Sequence, residues 1–132
     1  MPLADRGVEE LAQLAVDAAF HLHRDLGPGL IESVYETLLA TKLEKLGLRI
    51  DRQKPIDIIY EGSRFRGAFT ADLLVDDRLL IELKSTERTA PVHVQQVLTY
   101  LRLMDLPLGL LMNFGAATFR EGIRRVANNH AP

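Results

Sequence analysis

The chain of 132 residues contains no cysteine, and that absence removes disulfide bridges, thiolate zinc sites and a cysteine nucleophile together. Any metal must be held by oxygen or imidazole. No apolar run approaches the ~20 residues that a bilayer-spanning helix needs. The opening stretch Met1-Pro-Leu-Ala-Asp-Arg-Gly lacks a basic start followed by an apolar core, so a cytoplasmic chain with no membrane partner is expected. A large charge imbalance is missing too: 16 Lys and Arg stand against 18 Asp and Glu, a net −2, which argues against indiscriminate coating of nucleic acid. Most of the positive charge is arginine, which suits localised phosphate contacts. The Walker and dinucleotide glycine patterns are both absent, so Gly27, Pro28 and Gly29 read as a corner between helices. No internal repeat, low-complexity tract or linker interrupts the chain, and its length fits one domain, residues 1–132, with a core of its own.

The patterning that is present reads as an α/β chain. From Val8 to Leu26 the apolar residues Leu11, Leu14, Ala15, Ala18, Ala19 and Leu22 recur at three and four, which predicts an amphipathic helix. A second helix is expected from Pro28 or Gly29 to Leu46, stopped by Gly47. Ile56 to Tyr60, Phe65 to Val75 and Leu79 to Lys84 then read as an antiparallel meander of three strands. Thr89 to Met104 returns to a helical period, Leu108 to Phe114 has the length of a buried strand, and Phe119 to Ala127 reads as a closing helix. Strand, helix and buried strand over residues 79–114 form a crossover unit, which places the last strand parallel to the one carrying Glu82. The expected order is α-α-β-β-β-α-β-α in a mixed sheet. The tail after Asn128 is expected to fray.

The stretch from Phe69 to Ser85 carries the most chemistry. Pairing about a turn centred on Asp77 sets Asp72 opposite Glu82, since the two are equally far from residue 77. Side chains alternate along a strand, so Glu82 and Lys84 project together and away from Ile81 and Leu83. Removing isolated ions from water costs several kcal/mol or more, so such clustering calls for a partner. Two carboxylates near an ammonium suit a hard divalent cation. Asp72, Glu82 and the backbone carbonyl of Leu83 would make an incomplete oxygen cage of the kind Mg2+ accepts while keeping several waters, with Mn2+ as substitute. Lys84 would stand beside it, able to orient a water or stabilise developing negative charge. Phosphodiester hydrolysis needs these elements: a nucleophilic water, charge neutralisation and help for the leaving alkoxide.

An Asp, a step of ten residues to Glu-x-Lys in a strand hairpin, and a following helix with Gln96-Val-Leu-Thr-Tyr100 resemble the PD-(D/E)XK nuclease superfamily, particularly its exonuclease branch. The segment Gly29-Leu-Ile-Glu32-Ser-Val-Tyr35 resembles the signature of the GxxExxY protein family within it. The resemblance runs from about Asp25 to Asn128 and implies a restriction-endonuclease-like core acting on nucleic acid, with DNA as the expected partner. It places Asp72, Glu82 and Lys84 on the metal-binding and catalytic positions, although Ala71 stands where the superfamily name has proline. It places Glu32 on an acidic position of the first core helix, and Gln96 with Tyr100 on a glutamine and tyrosine that bind or support substrate.

Each of these residues also has a bland reading. Asp72, Glu82 and Lys84 would otherwise be a surface ion-pair trio, worth about 0–1 kcal/mol. Glu32 would be a carboxylate favourable to a helix N-terminus. Gln96 and Tyr100 would line a solvated helix face, and His93 a helix start. His21 and His23 lie two apart on a helix and diverge. Arg49, Arg52 and Lys54, with Arg64 and Arg66 nearby, form a basic patch diluted by Asp51 and Asp57, while Arg120, Arg124 and Arg125 suit the last turn of a closing helix. The small size and negative balance leave two rivals to a nuclease. One is a catalytically silent nuclease-fold binding or assembly module, drawing nucleic-acid affinity from a homodimer or a protein partner. The other is a hydrolase of another phosphoester.

Overall fold

A computed structural model describes residues 7–130; residues 1–6, with the expectation made for them, and residues 131–132 lie outside the described residues. Helix α1 (Val8–Leu26) buries Leu11, Ala12, Ala15, Ala19 and Leu22 along one stripe and ends at Gly27, whose φ of +75° suits a residue without a Cβ. Helix α2 (Glu32–Lys45) starts later than expected, because the chain from Gly27 to Ile31 makes an extended corner instead of helix. Tyr35 holds that corner. Its hydroxyl donates to the Gly27 carbonyl and accepts the Leu30 N–H at 3.2 Å, while its buried ring stacks on Phe114 with centroids 4.5 Å apart.

The meander follows as β1 (Ile50–Tyr60), β2 (Ser63–Val75) and β3 (Leu79–Lys84), then α3 (Pro91–Met104), β4 (Leu108–Asn113), a single turn α4 (Phe119–Gly122) and β5 (Ile123–Ala127). The sheet has five strands in the order β1-β2-β3-β4-β5. The β3–α3–β4 crossover is parallel as expected, with Glu82 beside Leu111 and Lys84 beside Asn113; the other pairings are antiparallel.

The closing helix is corrected. Only Phe119–Gly122 is helical, with the Thr118 hydroxyl accepting the Glu121 N–H, and Ile123–Ala127 pairs with β4 from Met112 beside Ile123 to Leu108 beside Ala127. Arg124 and Arg125 therefore stand on an edge strand and not in a last helical turn. A segment this short gives no clear period, and the unpaired backbone of β4 decides its conformation. The tail is corrected as far as His130: Asn128 Nδ2 donates to the Leu106 carbonyl at 3.1 Å, and His130 Nε2 lies 2.6 Å from the Glu9 carboxylate.

The sheet separates two apolar layers. Helices α1 and α2 pack with Leu73, Val75, Leu79, Ile81, Leu83, Leu108 and Met112, whereas α3 packs with Ala71, Leu80, Leu111 and Val126 through Val97 and Leu101. Leu73 and Ala71 are two apart on one strand and should share a face. They lie in different layers. Ile50 and Ile56 on β1 divide in the same way. The alternation therefore reverses between these pairs, where Arg52 opposite Leu73 gives way to Lys54 opposite Ala71 and neither Gln53 nor Asp72 has a paired partner. Gln53 adopts φ +48° there, inside a strand. Among the described residues no helix is long and apolar enough to cross a membrane.

Candidate functional site

The reversal of alternation brings the acids together. Regular β2–β3 pairing ends with Leu73 opposite Ile81, and one step further side chains replace the backbone ladder. The Asp72 N–H donates to Glu82 Oε2 at 2.7 Å, and the Leu83 N–H donates to Asp72 Oδ2 at 2.9 Å. The two carboxylates thus face each other across the hairpin, as the symmetry about Asp77 predicts. The other oxygen of Glu82 and the ammonium of Lys84 take no hydrogen bond among the described residues.

Burial makes this arrangement electrostatically costly. Glu82 is 6% exposed, and burial, reinforced by the Asp72 charge, pushes its carboxyl up to about 8. Asp72 is also raised by burial, against the opposing pull of the Leu83 N–H and the Gln53 amide. Glu32 is raised by burial and then by the Asp72 charge, with Lys84 pulling the other way. Tyr100 is raised by burial and by Glu82 and Asp72, and its ring stacks on Phe69 at 3.9 Å. Burial and like charge thus favour the protonated form of these acids, and a bound cation would reverse that preference.

The residues from 9 to 126 match the family model of the PD-(D/E)XK nuclease superfamily. The chain belongs to that superfamily. Searches of curated proteins and of solved structures gave no match. Superfamily members are generally nucleases and phosphodiesterases that use divalent metals, and the mixed sheet with helices on both sides agrees with a restriction-endonuclease-like fold.

Against this PD-(D/E)XK frame the expected residues divide. Asp72 within β2 gathers with Glu82 and Lys84 at the end of β3, and Glu32 approaches them from the first turn of α2, within electrostatic reach of Asp72 and Lys84. Glu32 also lines a cavity of about 620 Å3 between the Pro28–Ile31 corner and the loop of Ser85, Thr86 and Glu87. Tyr100 stands within electrostatic reach of both central acids; Gln96, one turn earlier on α3, is exposed. His93 is structural, its Nδ1 accepting the Ala90 N–H at the start of α3. His21 and His23 diverge as expected, the first exposed and the second buried against the Ala116 carbonyl. The basic patch is largely neutralised: Arg49 and Lys54 pair with Asp77, Arg52 with Glu36 and Arg64 with Asp57.

Three residues at the site escaped the sequence reading. Glu36, buried one turn after Glu32, was legible as the second acid of an i, i+4 pair. Gln53 bridges Glu36 and Asp72 through its amide, and no sequence signal marks it. Asn113 is fully buried, accepts the N–H groups of Thr86 and Gly115 at 3.0 Å each and donates to Thr89, tying down the loop that follows Lys84. Gly115 completes that junction, since a Cβ there would meet the Thr86 carbonyl oxygen at 2.3 Å.

The donor set fits a hard cation. It consists of oxygen atoms, with one Glu82 oxygen unpartnered among the described residues and mutual repulsion that a positive charge relieves. It is not a complete cage: among the described residues no group of three or more Asp, Glu, His or Cys side chains is arranged to hold an ion. An ion seated here would complete its coordination with waters and substrate oxygens, as Mg2+ does.

Proposed function

We propose that the chain is a divalent-cation-dependent nuclease that hydrolyses DNA phosphodiesters. Asp72, Glu82 and the Leu83 carbonyl would hold Mg2+, or Mn2+ in its place. The observation that carries this reading is the facing pair of acids, Glu82 buried and Asp72 half-buried, each accepting a backbone N–H beside the other, with Lys84 adjacent. When bound, the cation supplies charge neutralisation at the phosphate and lowers the pKa of water. Lys84 orients the attacking water or stabilises charge developing on the phosphate oxygens. Glu32 acts as an accessory acid at the cavity mouth, and Gln96 with Tyr100 contacts or supports substrate on the α3 side.

The test is degradation of DNA by the purified protein with Mg2+ or Mn2+. Asp72→Ala and Lys84→Ala should each abolish activity with an unchanged circular dichroism spectrum, and turnover surviving in both would refute the assignment. A silent binding module is favoured by one observation, the ion-pairing that neutralises Arg49, Arg52, Lys54 and Arg64 and so removes most of this basic patch as a surface for a polyanion. Intact folding with no Mn2+ binding by calorimetry would select that reading. Hydrolysis of mononucleotides without cleavage of DNA would select a hydrolase of another phosphoester.

A further inference from the structure

We infer that Gln53 is a positioning residue for Asp72, the last member of a chain running Arg52, Glu36, Gln53, Asp72. The inference rests on the cation-binding reading above and assigns Gln53 the task of fixing one ligand. Gln53 Nε2 donates to Glu36 Oε1 and, at 3.2 Å, to Asp72 Oδ1. Both amide hydrogens are thereby used. Glu36 is itself immobilised: its other oxygen accepts Arg52 Nε at 3.3 Å and Nη2 at 3.0 Å, and Arg52 Nη2 also donates to the Thr37 hydroxyl at 2.8 Å.

Two features separate this chain from an incidental contact. Gln53 holds φ +48° within β1, and a residue with a side chain in that region costs of order 1 kcal/mol or more, retained where the surroundings demand it. The strain sits where the strand alternation reverses, and it turns the amide of an otherwise exposed residue toward two carboxylates. The second feature is the kind of donor that touches Asp72. A guanidinium there would cancel the charge a cation needs. The chain instead spends Arg52 on Glu36 and presents Asp72 with a neutral amide, which fixes direction and preserves charge. With Oδ2 on the Leu83 N–H and Oδ1 on the amide, the carboxylate plane is set, and each oxygen keeps a lone pair free.

Gln53→Gly makes the discriminating variant, because glycine accepts φ +48° without strain while the amide is lost. Mn2+ titration calorimetry at pH 8 should show affinity reduced about 10- to 100-fold, the usual cost of removing a group that orients a ligand. The strain that glycine relieves offsets part of the two lost hydrogen bonds to carboxylates, so the melting temperature should fall by only a few degrees, and the loss of affinity should exceed anything so small a loss of stability explains. Gln53→Asn, which tolerates the same backbone and retains an amide one methylene shorter, should recover part of the affinity. Wild-type affinity in Gln53→Gly would overturn the inference while leaving the cation site standing. Absence of Mn2+ binding in the wild type would overturn both. Should Gln53→Gly fail to fold, Gln53→Asn decides alone, and unchanged affinity there overturns the inference.

Discussion

Replacing Glu82 by glutamine should make the metal-free protein more stable at neutral pH. The carboxyl titrates near 4.5 when unfolded and at about 8 in the fold. A group raised in this way keeps its full contribution to stability below pH 4.5, loses it progressively as pH rises and has none left above about 8. At pH 7 the unfolded chain has shed this proton and the folded chain retains it. The deficit accumulates at about 1.4 kcal/mol per pH unit above 4.5, which comes to roughly 3 kcal/mol. Glutamine carries no proton to lose, and its amide oxygen can still accept the Asp72 N–H that Glu82 Oε2 accepts now. The assay is thermal unfolding in chelator from pH 4 to 9, comparing wild type with Glu82→Gln. The gap should open from near zero at pH 4 to ~10 °C at pH 7, taking roughly 3–5 °C per kcal/mol for a chain of this size. It should level off above pH 8. A gap independent of pH would refute the reasoning, since only the titration of Glu82 generates the slope.

The same proton governs cation affinity. Mn2+ binding to the wild type should tighten about tenfold per pH unit between pH 6 and pH 8, because the ligand must be deprotonated to bind; a flat profile by calorimetry would count against Glu82 as ligand. Asn113→Ala should destabilise by about 2–4 kcal/mol in urea denaturation, because it orphans the Thr86 and Gly115 N–H groups beneath the loop after Lys84. A loss under 1 kcal/mol would show that the loop satisfies those groups another way.

Elements with a long period or a local symmetry were legible in the sequence. The apolar stripe of Leu11 to Leu22 marks α1, and the equal spacing of residues 72 and 82 about Asp77 fixes the β2–β3 register that the structure adopts. The parallel β3–β4 pairing follows from the length of the intervening helix. What stayed hidden depends on contacts distant in sequence or on backbone sign. Ile123–Ala127 becomes a strand because β4 needs a neighbour, information that lies in β4 and not in the segment itself. The start of α2 was misjudged because the Tyr35 hydroxyl holds Gly27 and Leu30 in an extended corner, and only the folded partners reveal that.

Gln53 is the sharper case. Strand reasoning assumes that residues two apart share a face, and under that assumption Leu73 and Ala71 belong to one layer, as do Ile50 and Ile56. On β1 the left-handed backbone at Gln53 marks the break, opposite the unpaired Asp72 of β2, and where the ladder is interrupted the Asp72 and Leu83 N–H groups are taken by the acids across the hairpin. Had β2 kept a regular ladder with both β1 and β3 through Asp72, those donors would have paired between strands and the carboxylates would have lost the contacts that orient them. Local regularity and the acid cluster are therefore alternatives at this position. The point where pattern-based reading fails is the point where the chain gives up sheet hydrogen bonds to arrange charge.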